Sequence, residues 1–326
     1  MLNASDLALI AALLVVAAVV PPVVLRASER WGGARVGGWV RPRAAANIVT
    51  QAGIIVTGGL VRLTGSGLGC SDWPECEPGS FTPVVVDETS FHPFVEFGNR
   101  VLTFVLLAVA VLLAIAVWNA LPKLRWWGLV PYAGVVGQAI IGGITVLVDL
   151  HPLVVAPHLL LSVALVWQAT WLWTRVRGER APAAAPSWAL TRWLSLAAFA
   201  VIVVLGALTT GAGPHSGDAE ATERLALDPA SMARAHAVAV WAFCAVLVWW
   251  GVLAWRRRDV AEEAAARRAW LVLAAVTLAQ GAVGYVQYFT GLPEAVVAVH
   301  LAGIGAFAFA HALAFLRSRP RDAATS

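Results

Sequence analysis

Residues 138–158, QAIIGGITVLVDLHPLVVAPH, and 280–300, QGAVGYVQYFTGLPEAVVAVH, are the two stretches on which the fold turns. Each opens on a glutamine, has a glycine four residues on and ends on a histidine at the same separation: Gln138, Gly142 and His158 in one, Gln280, Gly284 and His300 in the other. The match continues upstream, where Thr64-Gly65-Ser66-Gly67 in the first half corresponds to Thr210-Gly211-Ala212-Gly213 in the second. A duplicated unit over 44–174 and 190–316 accounts for these coincidences. Each copy contains four apolar runs, and four crossings return a chain to the side from which it started. The copies therefore have the same orientation, related by an axis along the membrane normal.

The composition requires a membrane. Of 326 residues, 60% are hydrophobic and 13% charged, and the mean hydropathy is +0.75, far from the charge cover of a soluble domain. A helix needs about 20 apolar residues to cross the hydrocarbon core. Spans are predicted near 7–25, 44–62, 97–118, 126–148, 153–174, 190–210, 233–255, 268–290 and 294–316. The expected fold is an all-α polytopic membrane protein of two four-helix bundles, eight membrane helices in parallel repeat, plus an extra N-terminal helix. Its parts are an apolar segment and basic arm at 1–43, the halves at 44–174 and 190–316, and a tail at 317–326. The leading run lacks the basic start and small-residue cleavage site of a signal peptide and reads as a real span.

The net charge of +4 reports topology rather than a nucleic-acid partner. Basic residues fill alternate connections, among them Arg26 to Arg43, Lys123 and Arg125, Arg175 to Arg180, Arg256 to Arg268, and Arg317 to Arg321. Acids fill the others, from Asp72 to Glu96 and from Asp218 to Asp228. The positive-inside rule puts the basic loops and the C-terminus in the cytoplasm of a multi-pass plasma-membrane protein. Eight tryptophans, from Trp118 to Trp255, cluster near the predicted inner ends like an aromatic belt.

Depth then selects the candidate chemistry. Asn99 and His158 in the first half, and His236 and His300 in the second, lie at the outer ends of their spans. An imidazole within a membrane span is costly unless partnered, so it marks function by default, the other reading being a hydrogen bond to a neighbouring helix. Zinc wants four ligands, whereas haem takes one or two axial ligands from facing helices. His236 and His300 thus read as a bis-imidazole pair, while His158 faces Asn99, a poor iron ligand, and suits a reacting substrate. Glu96, one turn before Asn99, reads as a base or charge stabiliser, or else as an acid favourable to a helix N-terminus. Arg100 can pair with Glu96 or with a haem propionate. Cys70 and Cys76 lie in an external loop where oxidation is allowed and read as a disulfide, the alternative being a metal or redox site. Cys244 reads as packing, as does His311, while His92, His151 and His215 read as exposed loop residues.

The stretches TGGLVRLTGSGLGCSDWPEC (57–76), VEFGNR (95–100), TGAGPHSGD (210–218), ARAHAVAVW (233–241) and LPEAVVAVH (292–300) resemble the haem A synthase family over about 44–316. The resemblance implies an oxidoreductase that converts the C8 methyl of haem O to the formyl group of haem A for a respiratory terminal oxidase. It implies a haem b cofactor on His236 and His300, a haem O substrate in the first half with Glu96 catalytic and His158 as ligand, and a cysteine pair at Cys70 and Cys76. A haem O synthase donor and oxidase assembly factors are the implied partners, and a homo-oligomer is compatible with it. Many members have histidine where this chain has Asn99, and this form resembles the actinobacterial branch. A second external cysteine pair present in some members is absent, since no cysteine lies between 211 and 232. The rival functions are a haem b electron carrier and a transporter. A transporter calls for ionisable groups at mid-membrane, whereas these lie toward one face.

Overall fold

The computed structural model describes residues 4–32, 36–84, 91–178, 188–218 and 223–319. Among them, nine helices are long and apolar enough to cross a membrane. In chain order these are α1 Ala4–Ser28, α2 Val40–Leu63, α3 His92–Ala120, α4 Arg125–Leu147, α5 Pro152–Val176, α6 Trp188–Ala212, α7 Pro229–Arg256, α8 Ala264–Phe289 and α9 Glu294–Arg317. The only β pairing among the described residues is an isolated bridge between Glu77 and Ser80. A helix satisfies its own backbone polar groups, which hydrocarbon cannot do, so apolar runs of this length take that form.

Two compact units result. The first comprises Met1–Arg177 together with Pro214–Arg224, and the second Gly178–Gly213 together with Leu225–Ser326. The segment after α6 thus belongs spatially with the first unit although the sequence assigns it to the second half.

In the first unit, α2, α3, α4 and α5 form a closed ring in which each helix packs against the next and α5 returns to α2. Its core at one end is built from Val40, Ala44, Leu113, Val117 and Leu172, flanked by Trp39, Trp171 and Trp173. Arginines cap this end by lying over indole rings, Arg177 at 4.5 Å from Trp173 and Arg43 at 5.0 Å from Trp39, a favourable arrangement for a cation beside apolar surface. The extra helix α1 lies outside the ring against α3 and α4. It is tied there by Asn119 Nδ2 donating to Ser28 Oγ at 2.9 Å and Trp118 Nε1 donating to Glu29 at 3.1 Å.

The second unit is built differently. Helices α6 and α7 pack closely, as do α8 and α9, but the two pairs touch each other sparsely. One junction between α7 and α8 is Trp270, whose Nε1 donates to Leu247 O at 3.0 Å and whose ring lies over Gly251. The α6–α9 junction is fixed by His311, fully buried, stacked on Phe199 at 4.4 Å with Nε2 3.3 Å from Ser195 Oγ. His311 is thus a packing residue of the inner core.

Small residues let membrane helices approach closely, and Gly251 is such a position: a Cβ there would sit 2.8 Å from Trp270 Cη2. Gly251→Leu is expected to part α7 from α8 and cost about 1–3 kcal/mol, read as a lowered unfolding temperature in detergent. An unchanged temperature would remove this contact from the account.

Candidate functional site

Four polar side chains occupy matching depths. Asn99 in α3, His158 in α5, His236 in α7 and His300 in α9 each lie about two turns in from the first residue of their helix.

In the first unit the decisive local feature is where α3 begins. The helix starts at His92 with Pro93 in its first turn, where a missing N–H costs nothing. Glu96 and Arg100 therefore lie four apart on one helical face. Glu96 is buried. Its Oε1 accepts from Arg100 Nη2 at 2.5 Å and Nε at 3.1 Å, and its Oε2 accepts the Cys70 N–H at 2.8 Å. Arg100 Nη1 donates onward to the carbonyls of Asp72 at 3.0 Å and Glu75 at 2.8 Å. Arg100 pairs with Glu96, and the two together clamp the loop that follows α2.

That loop carries the Cys70–Cys76 disulfide, both sulfurs belonging to fully buried residues. Gly69 runs against the start of α3 so closely that a Cβ would meet the His92 carbonyl at 2.5 Å, and the Trp73 indole lies on Gly143 of α4 with no room for a side chain between them. His92 Nδ1 is 2.9 Å from Ser66 Oγ, itself buried, so His92 is not a free loop histidine. The segment 214–218 adds to the same surface: Gly67 N–H donates to Gly217 O at 2.8 Å, and Arg62 donates to His215 O. His151 caps α5 by accepting the Leu153 N–H at 3.2 Å, and its Nε2 lies 3.1 Å from Glu223.

Beside this clamp stands Asn99, whose Oδ1 accepts the Thr57 hydroxyl of α2 at 2.7 Å. His158 packs on α4 at Gly142, where a Cβ would lie 3.4 Å from its Cε1. Gln138 Nε2 donates to His158 O at 3.0 Å and also to Ser162 Oγ. The His158 Nδ1 is buried with no hydrogen-bond partner.

The second unit repeats the scheme with two imidazoles. His236 Nδ1 donates to Ile202 O of α6 at 3.1 Å, and its ring edge rests on Gly206, 3.2 Å from a Cβ there. This bond fixes the tautomer and leaves Nε2 with its lone pair, a nitrogen able to ligate. His300 rests on Gly284 of α8, 3.5 Å from a Cβ there, and its Nδ1 is buried beside the Gln280 backbone without a hydrogen bond of good geometry. The two imidazoles are near enough to interact electrostatically. Both are half-buried and stand on different helix pairs, between which packing is sparse.

Among the described residues, no three His, Cys, Asp or Glu side chains group to hold a bare metal ion. An axially ligated haem asks for less, and this donor set suits it: one or two imidazoles from facing helices of an apolar bundle. Thr57, Gly206 and the reach of Arg100 to the Asp72 and Glu75 carbonyls were not identifiable from spacing, which offered only the Arg100–Glu96 pair as one alternative. Gly142 and Gly284 stood in the repeat, and their role as seats for the histidines appears only in three dimensions.

Comparison with known proteins agrees. Residues 44–313 match the family model COX15-CtaA, described as cytochrome oxidase assembly protein. Similar curated proteins include the heme A synthase of Geobacillus thermodenitrificans, 28% identical over 108 residues covering 32% of each chain. Another is that of Bacillus cereus strain 03BB102, 33% identical over 92 residues, 27% of this chain and 28% of the relative. The chain spans about a third of the length of the curated relatives it matches. With a family model matching residues 44–313, most of its length, the chain belongs to the COX15-CtaA family.

Proposed function

We propose that the chain is a haem A synthase, which oxidises the C8 methyl of haem O to the formyl group of haem A. The observation that carries this reading is the inequality of two otherwise matching sites. The second unit offers two imidazoles, His236 and His300, and suits a resident haem b. The first offers one, His158, with an amide opposite and a buried carboxylate one turn away, and suits a haem that reacts and leaves.

His236 and His300 would hold a haem b, which would supply one-electron transfer. In the first unit, His158 would orient the substrate, and two successive two-electron oxidations, each adding the oxygen of a water and releasing two protons, take the methyl to an alcohol and then to a geminal diol, which loses water to leave the aldehyde. The four electrons pass one at a time through the second unit to an external acceptor. The carboxylate of Glu96 has a specific capacity for this. Its Oε1 receives two N–H donors from Arg100, but among the described residues its Oε2 receives only the Cys70 N–H, and a carboxylate oxygen has two acceptor directions. One direction of Oε2 remains to stabilise positive charge or take a proton at the reacting carbon. The distribution of basic loops supports a reading in which the sites lie toward the outer leaflet. A haem O synthase delivers the substrate, and oxidase assembly factors receive the product.

Co-expression with a haem O synthase in a host that makes no haem A tests the reaction. The extracted haems should include haem A with the native chain and none with Glu96→Ala, with the haem b spectrum retained. Haem O alone from intact, haem b-loaded native protein would favour an electron carrier instead.

Because Glu96 also anchors the loop, Arg100→Leu separates its two roles. Freed from Arg100, the loop should expose the Cys70–Cys76 disulfide to an external thiol and raise its reduction rate several-fold, measured by alkylation and mass. Haem A production should fall only in part. Complete loss of product in Arg100→Leu, equal to that in Glu96→Ala, would reduce Glu96 to an anchor.

A further inference from the structure

The side chain opposite His158 is an amide, and its orientation is fixed by a partner that spacing does not reveal. Asn99 occupies in α3 the place His236 occupies in α7, and each is anchored to the first helix of its four. His236 uses its Nδ1–H on the Ile202 carbonyl, whereas Asn99 accepts the Thr57 hydroxyl at 2.7 Å. That hydroxyl also approaches the Gly53 and Ile54 carbonyls, at 3.4 and 3.3 Å. Its single proton goes to the much shorter contact. With Oδ1 so occupied, the free part of the Asn99 amide is its NH2, a donor that cannot ligate iron. Helices α3 and α5 are diagonal in the ring α2–α3–α4–α5. Asn99 stands seven and fourteen residues before the buried Leu106 and Leu113, and His158 stands four and seven before the buried Ser162 and Leu165, so both lie on the faces their helices turn to the interior.

Resting on the haem site proposed above for the first unit, we infer that its iron takes His158 as the one protein ligand. Its sixth position is left open to a small diatomic molecule or water, which receives a hydrogen bond from Asn99 Nδ2. Thr57 is a positioning residue that holds the amide in this sense. The two units then divide the work by one side chain: a second imidazole closes the iron in one, and an oriented amide keeps it accessible in the other.

Carbon monoxide is the probe, because a bis-imidazole haem in the second unit excludes it and serves as an internal control for folding. Purified full-length protein loaded with haem O and reduced should bind carbon monoxide at one haem per chain. Asn99→His should suppress that binding at least ten-fold by supplying a sixth ligand. Asn99→Leu should keep the binding but raise the C–O stretching frequency, since a donor to the bound oxygen is lost. Thr57→Val should shift it the same way by less, and Thr57→Ser should restore the native value. A second haem that binds yet is low-spin and closed to carbon monoxide overturns the inference alone, as does a stretching frequency unmoved in both Asn99→Leu and Thr57→Val. Failure of the native chain to take up any second haem overturns the proposed substrate site together with it.

Discussion

A polar side chain turned inward from a membrane-crossing helix has no water to turn to, so its partner must come from the protein or from something the protein holds. Much of the structure follows from how four such side chains meet that demand. His236 spends one nitrogen on the Ile202 carbonyl, and Asn99 accepts from Thr57, so each is pulled onto the first helix of its bundle. His158 and His300 are seated on glycines of the preceding helix, Gly142 and Gly284, and each keeps a buried Nδ1 unpartnered. Imidazoles held so firmly yet left incomplete are what an axially ligated haem requires.

The same demand shapes the end of the first unit that carries the acidic loop. Glu96 is a buried carboxylate, and it is tolerated because Arg100 and the Cys70 N–H satisfy it from two sides. Arg100 in turn reaches two loop carbonyls. One ion pair therefore fixes the start of α3, the disulfide loop and the wall of the proposed substrate site together, and any chemistry at Glu96 takes place beside a rigid cover.

The membrane helices were legible in the sequence because hydropathy over 20 residues is a coarse, additive signal: the run at 153–174 became Pro152–Val176 and that at 190–210 became Trp188–Ala212. The start of α3 was less so. His92 read as loop and Glu96 as the acid at the very start of the helix, so the predicted apolar span begins at 97 while the helix begins at His92. That difference matters, since the earlier start sets Glu96 and Arg100 one turn apart. The repeat pointed to His158, His236 and His300 by depth alone. Contacts between distant segments stayed hidden: Thr57 lies far from Asn99 in sequence, and nothing in TGAGPHSGD announces that its latter part packs with the first unit.

The account stands or falls on which histidines hold the resident haem. Purified full-length protein carrying His158→Ala, His236→Ala or His300→Ala, compared by its low-spin haem absorption and electron paramagnetic resonance, tests this most directly. The signal should vanish in the His236 and His300 variants and survive in His158→Ala. Its survival in either of the first two, or its loss only in the third, would contradict the division of roles between the two units.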